Sequence, residues 1–128
     1  MIAKWMCRNS FAEAFRPYMQ KAWCGKQTMS DLKEALADCV CYYFESEGKR
    51  VLSLAVRMWP TRAYIVGAVG EAGENWVNQS QKQIAELCAA KYVYFETKRK
   101  SIAKNFIAMG WELRYGSKIK FYKLGRAL

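Results

Sequence analysis

Over the first seven residues apolar and polar side chains alternate loosely, with Ile2, Lys4 and Met6 on one side and Ala3, Trp5 and Cys7 on the other, which predicts a short first strand. A helical spacing takes over at Ser10 and places Phe11, Phe15, Tyr18 and Ala22 on one stripe. Pro17 has no backbone N–H to give, so the stripe breaks into two short helices or one kinked helix. Residues 24–27 read as a loop. Thr28 with Asp31 three residues on is a helix-start signal, Ser30 is a second candidate cap, and Leu32, Ala35 and Leu36 form the buried stripe of the next short helix.

From Cys39 the period shortens. Residues 39–44 are aromatic and β-prone, residues 45–49 form a polar turn, and residues 51–58 form a second strand; together they read as a hairpin with a loop of about five residues. Pro60 ends that strand. Residues 62–69 are a third strand, whose unbroken apolar run predicts burial on both faces. A turn over residues 70–75 leads into a helix with Val77, Ser80, Ile84, Leu87 and Cys88 on one face, and residues 92–96 return as a strand. Strand, helix and strand in this order predict a right-handed parallel crossover. A short helix with Ile102, Phe106 and Met109 inward stops at Gly110, and residues 111–115 and 119–122 close the chain as strands bent around Gly116. The pattern predicts one α+β (or α/β) domain over residues 1–128, with a mixed central sheet, N-terminal helices, one β-α-β crossover and a C-terminal short helix plus strands.

Composition narrows the chemistry. A chain of 128 residues, 52% of them hydrophobic, can bury roughly two-thirds of its unfolded surface and needs no staple. No apolar run approaches the ~18–20 residues of a membrane span, and the first residues lack a signal-peptide core, so a cytoplasmic protein without a membrane partner is expected. The five cysteines are scattered, with only Cys39 and Cys41 close, and there is no histidine. This argues against a structural metal and for free thiols in a reducing compartment. Without histidine, Ser-His-Asp and Cys-His catalysis are excluded, leaving a carboxylate, a tyrosine, a thiol or simple positioning. Glu45 and Glu47 share a face near the hairpin turn; Glu45 is the candidate base, against the plainer reading of solvated turn charges.

The formal charge of +10 is concentrated in the last third of the chain. Lys98, Arg99, Lys100, Lys104, Lys118 and Lys120 are the candidate partner-binding residues there, and an acidic protein surface or a nucleic acid is the partner class they suit. The many strand tyrosines read either as base-stacking groups beside those lysines or as ordinary sheet packing, with packing favoured. A final strand lying at a sheet edge would also allow homo-oligomers.

The order of elements, and above all residues 92–111 with Met109-Gly110-Trp111 ending a short helix, resembles the GNAT family of N-acetyltransferases over residues 28–123. Small degenerate GNAT-like proteins of bacteriophages are similar in kind. The resemblance implies acetyl-CoA as cofactor, its pyrophosphate held by a Q/R-x-x-G-x-G/A turn at a helix start, where aligned N–H groups and the helix dipole favour an anion. The matching positions are Val69, Gly70, Ala72, Gly73 and Asn75, but the glycines at 67, 70 and 73 are spaced differently, no Arg or Gln leads them, and Glu71 and Glu74 bring like charge. The family's proton-donating tyrosine falls on Phe106, which has no proton to give. The expectation drawn from these departures is a non-catalytic or degenerate GNAT-like binding protein without a cofactor, phage-encoded and acting in the virion or host cytoplasm. The alternatives are an acetyl-CoA-dependent N-acetyltransferase with an atypical loop, and a nucleic-acid-binding domain.

Overall fold

The computed structural model describes residues 2–23, 28–70, 73–115 and 122–128. Strands β1 (Ile2–Met6), β2 (Cys39–Ser46), β3 (Lys49–Trp59), β4 (Arg62–Val69), β5 (Tyr92–Thr97), β6 (Glu112–Tyr115) and β7 (Tyr122–Ala127) form one sheet in the order β1-β2-β3-β4-β5-β7-β6. Every neighbouring pair is antiparallel except β4 and β5, which are parallel and joined through a helix. This is the mixed sheet and single crossover that the periodicity predicts.

Three features differ from the sequence reading. The last strand runs over Tyr122–Ala127 rather than 119–122, of which 119–121 lie outside the described residues. The β2–β3 hairpin turns on two residues rather than five: Glu47 and Gly48 carry φ of 53° and 75°. Consecutive left-handed residues match the twist of the flanking strands, so Glu45, Ser46, Lys49 and Arg50 are drawn into the ladder. The last strand is also not an edge. β7 inserts between β5 and β6, pairing with β5 from Tyr92↔Ala127 to Thr97↔Tyr122, because the crossover leaves one side of β5 unpaired. The edges are β1 and β6.

Helices α1 (Arg8–Phe15), α2 (Met19–Ala22) and α3 (Met29–Leu36) gather on one face of the sheet, and α4 (Gly73–Cys88) and α5 (Lys100–Ala108) on the other. Pro17 sits in a 3-10 turn, Arg16–Tyr18, between α1 and α2, where its missing N–H costs least. Thr28 caps α3 as the sequence indicates, its hydroxyl accepting from the Asp31 N–H and donating to the Asp31 carboxylate. Under α1 to α3 lie Phe11, Phe15, Leu32 and Leu36; under α4 and α5 lie Phe44, Leu54, Val93 and Leu124. Each such side chain, buried to 1% exposure or less, stabilises the fold by about 1.5–3 kcal/mol. The interior strand β3 is buried without a break from Val51 to Val56, since it feeds both cores. Among the described residues no helix is long and apolar enough to cross a membrane.

Candidate functional site

The sheet opens where its two parallel strands meet. Pairing of β4 with β5 runs through Arg62↔Tyr92, Ala63↔Val93 and Tyr64↔Tyr94 and then stops, although β4 continues against β3 to Val69 and β5 continues against β7 to Thr97. The cause is local. Ala55 faces Gly67 while Val56 faces Ile65, so Val66 is an extra residue in β4, and a bulge of this kind bends its strand and raises the twist. Beyond the bulge, the peptide groups of β4 that point toward β5 no longer meet a ladder partner. Backbone groups in such a position favour any ligand that can replace the missing strand.

A cavity of about 210 Å³ fills the wedge. Its floor is the β4 segment from Ile65 to Gly70; Phe15 and Tyr18 close it from the α1 side, Val77 of α4 and Ile102 and Phe106 of α5 from the other, and Phe95, Glu96 and Thr97 line it along β5. The lining is mostly apolar with a few convergent polar groups, as in sites for small organic ligands.

The turn singled out in the sequence lies at one end of this wedge. Val69 and Gly70 line the cavity, Gly73 is the first residue of α4, and Asn75 is exposed in its first turn; Ala72 and Glu71 lie outside the described residues. Gly70 has a packing reason of its own: a Cβ there would sit 2.3 Å from the Val51 carbonyl oxygen. Val77, one turn into the 16-residue α4, touches the cavity, so the positive end of that helix stands beside it.

The basic triplet flanks the same mouth. Lys98 and Arg99 connect β5 to α5, the Arg99 N–H donates to the Thr97 hydroxyl at 3.1 Å, and Lys100 starts the helix whose Ile102 and Phe106 line the cavity. Arg99, Lys100 and Lys104 are exposed. There is no acid in the first turn of α5, so cations crowd the positive end of a helix dipole, an unfavourable arrangement that a bound anion would relieve. Lys118 and Lys120 lie outside the described residues.

Phe106 is buried among Phe95, at 4.5 Å between ring centroids, and Trp111, at 5.0 Å. It closes the wedge against water and offers no proton. Glu45 sits elsewhere: it pairs with Lys4 at 3.2 Å on the β1–β2 side of the sheet and does not line the cavity. The carboxylate that does line it is Glu96. In the sequence Glu96 reads only as the last residue of a strand, although its place two residues before the basic triplet is a usable signal. Tyr18 likewise reads only as part of a helical stripe. Among the described residues Cys7, Cys39, Cys41 and Cys88 are free thiols, and no three metal-capable side chains converge; Cys24 lies outside them.

No family model matches the chain, and no curated protein does either. Solved structures do. An aminoglycoside 6'-N-acetyltransferase from Enterococcus faecium aligns over 99% of this chain and 97% of its own, at 10% identity and a TM-score of 0.64. An IAA acetyltransferase from Bacillus cereus aligns over 99% of both chains, at 10% identity and 0.67. A Bacillus subtilis acetyltransferase in complex with CoA covers 98% of this chain and 97% of its own, at 12% identity and 0.60. The expectation of a non-catalytic, phage-encoded binding protein is corrected by these findings: structures that share the fold end to end are acetyltransferases, one of them in complex with CoA, and the resemblance to phage proteins draws no support from them. At such low identity the likeness is one of architecture, and it establishes that the chain has the GNAT fold.

Proposed function

We propose that the protein is an acyl-CoA-dependent N-acyltransferase, with acetyl-CoA the cofactor. The observation that carries this reading is the wedge: two parallel strands joined over three residue pairs and then parted around an apolar cavity. Its chemistry fits the group. Peptide groups of β4 beyond Tyr64 are placed to bond an amide-bearing chain as a strand would, and the start of α4 together with Lys98, Arg99 and Lys100 gives phosphates a positive surround. The atypical spacing of Gly67, Gly70 and Gly73 is compatible with this, because the helix start and the free peptide groups, rather than a leading Arg or Gln, supply the donors.

Acetyl-CoA, when bound, supplies an activated acyl thioester. Glu96, on the wall of the cavity, attracts the acceptor ammonium and takes up its proton, which frees the nitrogen lone pair for attack. Phe95, Phe106 and Val77 exclude water, which protects the thioester from hydrolysis and strengthens the electrostatics inside. Phe106 has no proton to give, so a departing thiolate would draw its proton from solvent rather than from a fixed phenol.

A thermal melt with acetyl-CoA on reduced protein tests the reading. Ligand at 100 times its dissociation constant adds about 2.7 kcal/mol, a clear rise in melting temperature that persists at moderate salt. Glu96→Gln should keep that rise and slow CoA-thiol release with primary amines by about 100-fold or more. Absence of any stabilisation by acetyl-CoA or CoA would sink the proposal.

A further inference from the structure

α1 to α3 pack mainly over β2, β3 and β4, and the same face of the sheet continues onto β5, β7 and β6. What this face carries is aromatic and cationic. Trp59 at the end of β3, Tyr64 on β4 and Tyr94 on β5 form a cluster of nearly parallel rings. Trp59 lies 5.9 Å from Tyr94 with 9° between planes and 6.4 Å from Tyr64 with 19°, while Tyr64 and Tyr94 are 5.0 Å apart. Trp59 is 44% exposed, so the cluster ends in an open indole. Lys123 places its ammonium 4.6 Å from the Tyr94 ring centre, and Arg114 sets its guanidinium 5.3 Å from that of Tyr92. Among the described residues the cations beside the rings are Arg62, opposite Tyr92 in the ladder, Arg114, which pairs with Glu112 at 3.4 Å, and Lys123, opposite Glu96 in the ladder.

We propose that this face binds single-stranded nucleic acid, with a base stacked on Trp59 and phosphates along the flanking cations. An exposed indole packed beside two tyrosine rings suits a planar base, and sequence-tolerant stacking beside cations is how single strands are held. An acidic peptide would use the cations but has no use for the rings. The excess charge of +10 favours a polyanion over a neutral partner. Tyr92, Tyr94 and Glu96 alternate along β5, so the row spans about 13 Å from Tyr92 to the cavity wall, the reach of a few nucleotides. This binding does not depend on the acyltransferase reading.

The test is fluorescence anisotropy of fluorescein-labelled dodecauridylate with the whole protein. Binding should weaken steeply with salt, at about 0.7 in log–log slope for each phosphate neutralised. Trp59→Ala should lose about tenfold in affinity, Trp59→Phe should recover most of it, and Lys123→Glu should lower the salt slope. Equal affinity of wild type and Trp59→Ala would overturn the proposal. So would displacement of the RNA by polyglutamate of equal charge as effectively as by unlabelled RNA, which would point to an acidic protein. Trp59-dependent RNA binding without stabilisation by acetyl-CoA would leave this proposal standing and remove the acyltransferase reading.

Discussion

Two thiols near the same edge of the sheet meet opposite environments. Cys7 caps α1: its sulfur accepts from the Ser10 backbone N–H at 3.4 Å and shares a hydrogen bond with the Ser10 hydroxyl at 3.0 Å. Those bonds favour the thiolate, so its pKa lies below that of an ordinary thiol. Cys41 is buried beneath α1 to α3, and burial disfavours its charged form, pushing it up to about 11. The sign follows directly. As pH rises, Cys7 becomes thiolate earlier than free cysteine does, while Cys41 stays protonated across the physiological range. Alkylation by iodoacetamide, mapped by peptide mass spectrometry, should therefore label Cys7 well before Cys39, Cys41 or Cys88. Ser10→Ala should move the Cys7 pH–rate curve to higher pH. A Cys7 that reacts no faster than Cys41 at pH 7.5 would contradict the assignment.

At the scale of the element, β4 is the strand on which the site depends. Its bulge at Val66 bends it away from β5, and its end is pressed against β3 at Gly70. Gly70→Ala would drive a methyl into the Val51 carbonyl, a rigid backbone neighbour, and should cost roughly 1–3 kcal/mol. A lower urea midpoint at unchanged slope would report that cost, and the response to acetyl-CoA should weaken with it because the turn into α4 is displaced. An unchanged midpoint would show that β3 yields easily. The same strand shows what the sequence could convey. Its identity was legible from its apolar run, as were the Thr28 cap, the β2–β3 hairpin and the crossover, because each is written in local spacing. The wedge was not legible, since a bulge is a mismatch of register between two strands and neither strand carries it alone. The insertion of β7 beside β5 is likewise a long-range pairing with no local mark. Glu45 drew notice for its charge within a turn, whereas Glu96 matters for its position on the wall of a cavity that appears only after folding.

The whole molecule is a sheet in two parts, β1 to β4 and β5 with β7 and β6, hinged on the three residue pairs between Arg62–Tyr64 and Tyr92–Tyr94. Each part carries its own antiparallel ladder and its own helix on one face, α4 resting on β3 and β4 and α5 on β5, β6 and β7, and the two helices touch. The parting therefore costs the fold a stretch of ladder between its halves, and that stretch is where an extended ligand gains most, because it supplies hydrogen bonds the protein does not make. Hydrogen exchange separates this arrangement from a merely imperfect sheet. Amides of residues 65–69 that point toward β5 should exchange faster than the β4 amides bonded to β3, since only the latter lie in a ladder. Acetyl-CoA should slow the first set selectively, along with amides at the start of α4, and leave the β1–β2 pairing unaffected. Uniform slowing over the whole chain would signify general stabilisation from a site elsewhere. Selective protection along one side of one strand requires a ligand lying in the wedge as a missing strand would lie.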